Sequence, residues 1–418
     1  MRGTEAPVGG IRPWIVWLAA TLTFVAAMFS RTSFGVASLY AAERFASPVA
    51  LMSIFVVVQM IVYAGMQIPA GLLLDRLGSR KTIAIGLTVM TVGQLGLALA
   101  TSFPVGLGVR VLIGGGDALI FISAIRLIPV WFAARQVPLL TQISSVAGQL
   151  GQWASAVPLV RILADFGWTP AFLTVAAACA TGLLLNVVFV RDYPPGAEMP
   201  RPQGRSGGFA GAREVIEMPA GQLGFFIHMS TAYFPLIFTF MWGFPFLTQG
   251  QGLTDARAGN LFTVFVIAGI AAGPPMGVLT RIFENQRVAL ALIVAAFTVV
   301  AWTAVLLWPG SAPMPLLVVL MIGLASCFPA SNIAFDINRS FVPPHRMGIG
   351  SGLVIVGGFI AALGSVGVIS MVLAGVGGAD PGPEAFRIAM ATQLPVWLFA
   401  LTMVLRSRRK LLATGQRV

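Results

Sequence analysis

The sequence predicts an all-α polytopic membrane protein, and three observations carry that reading. Apolar runs of roughly 20 residues recur along the whole chain, and about 20 residues is the length a helix needs to cross a bilayer. Charged residues make up 10% of the chain against 57% hydrophobic, with a mean hydropathy of +0.89. A soluble domain carries about 25% charged residues, so this inventory cannot build a water-facing surface. The runs also lack the alternating polarity of barrel strands. With no water in the bilayer core, backbone groups must bond within each segment, and helices do this.

Twelve spans are expected, at 13–39, 49–74, 82–101, 104–131, 138–162, 170–190, 221–247, 258–280, 288–308, 315–338, 347–374 and 386–405. The first, an apolar core from Trp14 to Met28 behind Arg2 and Arg12, has the build of a secretory leader. Eleven further spans favour an uncleaved first helix. Residues 191–220, rich in Pro, Gly and Arg, form the longest polar interruption and divide the spans into two sets of six. They are expected to be a flexible linker. The organisation expected is therefore a tail at 1–11, a six-helix bundle at 12–190, the linker, a second six-helix bundle at 221–405 and a basic tail at 406–418.

An even number of spans puts both termini on one side. Arg44, Arg161, Arg257 and Arg387 fall in loops of the opposite side, Arg31, Arg110, Arg126 and Arg339 lie within spans, and the remaining Lys and Arg share the side of the termini. Basic loops stay inside, so both termini are expected in the cytoplasm, in a multi-pass protein of the inner (plasma) membrane. The net charge of +12 invites a nucleic-acid reading, but the bases sit between apolar runs and not on one soluble face, which argues against that partner. Cys179 and Cys327 are isolated in apolar stretches, so neither a disulfide framework nor a metal site is indicated. No cofactor is expected. With His228 and His345 far apart and no paired mid-span carboxylates, a membrane enzyme is excluded. A channel or sensor stays open as a rival.

The most informative stretch is Gly71-Leu-Leu-Leu-Asp-Arg-Leu-Gly-Ser-Arg-Lys81, which interrupts the apolar run between spans two and three with an acid and three bases. A weak internal repeat relates the halves. Gly71-Leu-Leu-Leu-Asp75 recurs as Gly277-Val-Leu-Thr-Arg281, and Arg135 after span four has a counterpart in Arg346 after span ten. Duplicated halves are a general transporter device.

Six plus six spans, a basic middle linker and this loop resemble the major facilitator superfamily, over essentially the whole chain except the two tails. The family's loop pattern is Gly-x-x-x-Asp-Arg/Lys-x-Gly-Arg-Arg/Lys. Gly71, Asp75, Arg76, Gly78 and Arg80 match it, while Ser79 replaces one arginine. The resemblance implies two pseudo-symmetric six-helix bundles and a secondary transporter working by alternating access. It also implies a contact between Asp75 and the amino end of the eleventh helix that closes the cytoplasmic side in one state. Pro343 and Pro344 precede that helix's glycine-rich start, and a carboxylate at a helix amino terminus is favoured by typically 0.3–1 kcal/mol. The bland alternative is a loop that only marks topology.

Charges inside spans are rare and usually functional. Asp117 lies about 20 Å along span four at 1.5 Å per residue, near the midplane. Arg110, seven residues earlier, shares its face, whereas Arg126 points elsewhere. Arg110 followed by Leu-Ile-Gly-Gly-Gly is similar to the family's fourth-span arginine pattern, linked in many members to proton transfer. Asp117 is then the titrating partner in proton coupling, with a permanent ion pair to a neighbouring helix as the alternative. Arg31, within Phe29-Ser-Arg-Thr-Ser-Phe-Gly35, resembles first-span arginines of the family's organic-anion and sugar-phosphate porters, though the aromatic-x-Asp-Arg form is lacking. Its guanidinium presents a fork matched to carboxylate or phosphate. Snorkelling, or pairing with Asp117, is the alternative.

Gln59, Tyr63 and Gln67 recur every four residues on span two, as a polar stripe that lines a cavity or bonds between helices; Gln149 belongs to a similar stripe on span five. His228 and Tyr233 add polar groups to span seven. Arg31, Gln59, Tyr63, Gln149, His228 and Tyr233 are thus the expected substrate contacts. Near the ends of spans four and ten, Arg126, Arg135, Asp336, Arg339 and Arg346 are expected to form a charge network that helps close the inner gate; a plain helix-end pair of Asp336 with Arg339 is the alternative. The sequence therefore predicts proton-coupled symport of a small organic anion, with the small molecule, protons and the lipid bilayer as partners, by a chain working as a monomer. The rival within transport is proton-driven efflux of drugs or amphipathic compounds. That reading is weakened because Gly148-Gln-Leu-Gly-Gln-Trp-Ala-Ser-Ala-Val-Pro158 does not fit the glycine-proline pattern of the family's drug antiporters.

Overall fold

The computed structural model describes residues 10–48, 51–195, 209–377 and 381–415. The far ends of both tails, the start of the second span at residue 49, and Arg201 and Arg205 of the linker lie outside the described residues. Every regular element among the described residues is helical. The first span is Arg12–Val36, followed after Ala37 by the short Ser38–Arg44. Met52–Gly65 runs through Met66 into Gln67–Leu99, and a break at Gly78 (φ 80°, ψ 172°) separates the second span from the third. The fourth is Phe103–Trp131, and the fifth joins Val137–Ala154 through a π-helical turn at Ser155–Leu159 to Val160–Phe166. The sixth is Trp168–Phe189.

The seventh span starts as Pro219–Ile237 and continues through π-helical turns at Phe238–Trp242 and Phe246–Gly250. Asp255–Ile282, Arg287–Leu307, Met314–Phe341, Met347–Gly377 and Pro383–Ala413 complete the set. Among the described residues, nine helices are long and apolar enough to cross a membrane unaided. Gln67–Leu99 counts among them as one helix, whereas the first segments of the fifth and seventh spans, 18 and 19 residues long, are not apolar enough to be included. Pro158 lies inside the fifth-span π turn and Pro235 just ahead of the seventh-span ones. A proline removes one backbone donor and leaves a carbonyl to be satisfied by a wider turn.

The chain divides into two compact units, Met1–Ala212 with Pro344–Gly352, and Arg213–Pro343 with Leu353–Val418. The start of the eleventh span therefore groups with the first unit, because it packs on the 71–81 loop. In the first unit the core is aromatic and aliphatic: Phe34 stacks on Phe55 at 4.5 Å, and Ile83, Leu87, Ile113 and Phe172 close around them. In the second unit, Phe246 packs against Trp302 at 5.1 Å, and Leu320, Leu324 and Ala325 of the tenth span are fully buried. The outward faces carry exposed Val92, Leu99, Leu184, Val300 and Leu307, a surface that suits hydrocarbon and not water. The chain is a polytopic α-helical membrane protein.

The structure departs from the sequence expectation in the linker. Phe209–Glu217 is a helix within the stretch expected to be flexible. Val215 is fully buried, and Arg213 pairs with Glu217 one turn on at 2.8 Å. Pro, Gly and Arg dominate the linker's composition and hide this short amphipathic pattern.

Candidate functional site

Asp117 ends the first segment of the fourth span, and glycines set its position. Gly114 sits so close to the second span that a Cβ there would lie 2.7 Å from the Gln59 carbonyl oxygen, and Gly116 is equally tight against Gly86 of the third span. The three helices meet at backbone contact, which brings side chains of the second span up to Asp117. Gly114 and Gly116 are thus close-packing positions, while Gly115 between them meets no neighbour within 4 Å.

From the first span, Arg31 reaches the same place. Its Nε donates to Asp117 Oδ2 at 2.6 Å and its Nη2 to Asp117 Oδ1 at 3.0 Å, a bidentate, charge-assisted fork. Asp117 is 1% exposed and Arg31 16%. The Arg31 guanidinium also lies over the Tyr63 ring, 4.3 Å from its centroid. Arg110, fully buried, donates from Nη2 to the Arg31 carbonyl oxygen at 3.4 Å and lies 5.0 Å from the Phe34 ring centroid. Its Nε and Nη1 have no hydrogen-bond partner among the described residues. Gln59, fully buried, faces Asp117 without completing a well-formed hydrogen bond.

Arg31, Gln59, Tyr63, Arg110 and Asp117 therefore form one cluster inside the first unit. Two guanidinium groups share one carboxylate. An uncompensated charge in a water-poor interior costs several kcal/mol. Of the two alternatives to a substrate role for Arg31, the structure shows the pairing with Asp117, and snorkelling is set aside.

The remaining expected contacts lie elsewhere. Gln149 is half-buried on the fifth span, and no hydrogen bond joins it to the cluster. His228 belongs to the second unit, 7% exposed, with its ring edge-on to Phe335 and Nδ1 without a partner among the described residues. It is seated against Gly358, where a Cβ would lie 2.5 Å from Nδ1. Tyr233 belongs to the second unit as well. It is fully buried and its hydroxyl donates to the Gln393 carbonyl oxygen at 2.5 Å, so its polar atom is spent on joining the seventh span to the twelfth.

The 71–81 loop is built around two carboxylates. Asp75 accepts from the backbone N–H of Gly348 at 2.8 Å and of Ile349 at 3.0 Å, at the start of the eleventh span. Arg126 donates from Nη1 to Asp75 at 3.3 Å and to the Leu74 carbonyl oxygen at 2.7 Å. Gly71 makes room, since a Cβ there would stand 2.4 Å from the Gly348 oxygen. Asp192, which sequence reasoning missed, accepts from the Arg80 backbone N–H at 3.0 Å and lies against Gly78, whose positive φ turns the chain into the third span. Arg80 Nη2 donates to the Val187 carbonyl oxygen at 2.7 Å, and Asn186 donates to the Arg80 carbonyl oxygen at 2.9 Å. Arg76 is exposed on the loop.

The wider gate network takes a different form from the one expected. Arg126 is engaged by Asp75, and Asp336 pairs with Arg339 one turn along the tenth span, each within its own unit. Arg135 is exposed on the one-turn helix Ala134–Gln136. Its repeat counterpart Arg346 sits on the equivalent one-turn helix Pro344–Arg346, where its Nε donates to His345 at 3.2 Å. Helix-end acids and bases three residues apart satisfy each other locally before longer reaches form.

Comparison with known proteins gives the following. The family described as Major Facilitator Superfamily matches residues 19–366. A D-galactonate transporter of Escherichia coli O6:H1 strain CFT073 is 25% identical over 304 residues, covering 63% of this chain and 67% of that protein. The crystal structure of the Escherichia coli fucose:proton symporter FucP superposes with a TM-score of 0.68 at 14% identity, over 94% of this chain and 99% of that one. The proton:xylose symporter XylE bound to 6-bromo-6-deoxy-D-glucose gives a TM-score of 0.71 at 14% identity, over 94% and 96%. At these identities the solved structures establish the fold.

Proposed function

The chain belongs to the Major Facilitator Superfamily, and from that premise we propose that it is a secondary transporter carrying a small organic anion together with protons across the inner membrane, with both termini in the cytoplasm. The observation that carries this reading is the buried fork between Arg31 and Asp117, with Arg110 beside it holding two open N–H groups. A guanidinium suits a carboxylate cargo, and here the better placed one is already occupied by a carboxylate of the protein. Protonating Asp117 frees the Arg31 fork, and a carboxylate of the cargo replaces it with the same bidentate geometry. Gln59 and Tyr63 border that place and can hydrogen-bond hydroxyl groups of the cargo. The relationship to a D-galactonate transporter supports a sugar acid as cargo, and the proton symporters of like fold support the coupling ion. His228, with its unpartnered Nδ1, is a further candidate contact. Asp75, Gly71 and Arg126 act as a latch on the start of the eleventh span, released once per cycle.

The experiment is uptake of radiolabelled D-galactonate into proteoliposomes under an inward proton gradient, with Arg31→Lys beside the unaltered protein. Lysine keeps the charge and loses the fork, so uptake at low substrate is expected to fall by about tenfold or more, the equivalent of one charge-assisted hydrogen bond. Unchanged apparent affinity for galactonate and for other carboxylates in that variant would remove Arg31 from the site.

A further inference from the structure

We infer that the carboxy-terminal end of the twelfth span is a docking site for the phosphate headgroup of an anionic phospholipid, held by Arg406, Arg409 and Lys410. The inference is independent of what the carrier moves. Pro383–Ala413 runs for 31 residues, about 46 Å at 1.5 Å per residue, against a hydrocarbon core of about 30 Å. About 16 Å of helix must therefore stand outside the acyl layer. The exposed face shows where it leaves. Leu398, Phe399 and Leu405 are exposed along one side, and the same side continues with exposed Arg406, Arg409 and Lys410. At 3.6 residues per turn these three bases fall within about 100° of arc. Ala400, Val404, Ser407 and Leu411, on the other side, are buried. The extension is thus seated on its own unit with three bases turned outward, while Arg408 on its flank is half-buried.

These charges have no counter-charge of their own. No acid follows Glu384 in the sequence, and among the described residues no ion pair or hydrogen bond engages Arg406, Arg409 or Lys410. Three like charges within about one turn repel one another, and an anion set between them relieves that. Depth selects the anion. The bases lie about 1.5–8 Å past Leu405 along the axis, and the headgroup layer on each side of a bilayer is about 5–8 Å deep. Phosphates of the surrounding lipids stand at that level, where a guanidinium fork matches them and basic segments beside a span attract anionic lipid. Basic loops set topology whichever way their charges point, so topology alone does not require one stripe continuous with the apolar one. The end of the sixth span, its counterpart in the first unit, is built differently. That helix stops at Phe189, Arg191 turns back onto the Val187 and Val190 carbonyl oxygens, and Asp192 follows. The basic stub is specific to the second unit.

The test is headgroup photolabelling of the full chain in phosphatidylcholine nanodiscs. The discs carry either a phosphatidylglycerol with a photoreactive headgroup or a phosphatidylcholine labelled in the same way, and the labelled peptides are mapped. The peptide spanning residues 400–413 is expected to take up the glycerol lipid over the choline lipid by about fivefold or more, the preference one base near an anionic surface provides. Arg406→Gln with Arg409→Gln and Lys410→Gln is expected to bring the two lipids to parity. Arg406→Lys with Arg409→Lys is expected to keep the preference, since it keeps the charge. Arg12→Gln with Arg257→Gln and Arg281→Gln, which removes as many exposed bases elsewhere, is expected to leave it in place. Equal labelling by both lipids in the unaltered protein overturns the inference, as does a preference that survives the triple glutamine change at 406, 409 and 410. A control variant that loses the preference equally overturns it too, because net charge and not this site would then attract the lipid. Excess inorganic phosphate at matched ionic strength is expected to displace little of the label; full displacement would make the site one for free anions and overturn its assignment to lipid.

Discussion

Asp75 and Gly348 are joined across 273 positions of sequence by a hydrogen bond of 2.8 Å from the Gly348 backbone N–H to Asp75 Oδ1. The neighbouring Ile349 N–H bonds the other oxygen at 3.0 Å. The first N–H groups of a helix have no partner within it, so an outside carboxylate both satisfies them and meets the positive end of the helix dipole. Asp75 thereby does for the eleventh span what a side-chain cap does for an ordinary helix, from a loop far away in sequence. Its own charge is balanced by Arg126 from the fourth span. Loop, fourth span and eleventh span are consequently tied at one carboxyl group.

Removing only the charge is therefore expected to loosen that start without disturbing its shape. In Asp75→Asn the contact loses about 0.3–1 kcal/mol of dipole interaction, up to ~2 where partly buried. Hydrogen exchange of the peptide spanning residues 344–352 is expected to quicken by a factor on the order of five, following that energy. Exchange at the unaltered rate would show that the carboxylate contributes nothing to holding the helix end.

The Arg31–Asp117 pair should behave as one unit in stability. Removing either partner alone strands a buried charge and is expected to cost about 3–5 kcal/mol. Removing both, in Arg31→Ala with Asp117→Ala, is expected to cost clearly less than the sum of the single changes, because the stranded charge is then absent. Arg110 keeps the residue of the effect from vanishing, as it would lose its nearest counter-charge. Denaturation in detergent with the four proteins of the cycle measures the coupling. Strict additivity would mean that the fork seen here is not formed in the folded protein.

How legible all this was depended on whether a feature lies along the chain or across it. The membrane class, the spans and the break at 71–81 follow from apolar run lengths, which are local. Arg110 and Asp117 could be put on one face by helical spacing, and pairing of Asp117 with a neighbouring helix was visible as an option. Pairing with Arg31 of the first span was one of the named alternatives, but the sequence could not decide between it and a free Arg31, because helix rotation about its own axis is set by packing at Gly114 and Gly116. Asp192 was missed for the opposite reason. It sits in a polar segment where acids are unremarkable, and only the positive φ at Gly78 reveals that it closes a turn.

Tyr233 shows how a polar residue in a span can have a structural partner. A phenol among apolar neighbours reads as a cargo contact until its hydroxyl is found on the Gln393 carbonyl oxygen. Tyr233→Phe leaves that buried carbonyl without its bond, and the expected cost is about 1–3 kcal/mol of stability. Apparent affinity for galactonate in proteoliposomes is expected to be unchanged. A variant that keeps its stability but loses affinity would return Tyr233 to the substrate site.

Asp192 offers the sharpest test of the loop's construction, because its partner is a backbone N–H and not a side chain. It accepts from Arg80 N, near the start of the third span, while Asn186 and Val187 hold the Arg80 carbonyl and guanidinium from the same helix end. Replacing a capping acid by alanine costs about 0.5–2 kcal/mol. Asp192→Ala is therefore expected to lower stability by that amount and to quicken amide exchange across residues 78–82. Asp192→Asn keeps an accepting oxygen and is expected to recover most of the loss, since asparagine caps about as well as aspartate. If asparagine restored nothing, the carboxylate's charge rather than its hydrogen bond would be what holds the loop, and Arg126, which lines the same small cavity as Asp192, would be its partner.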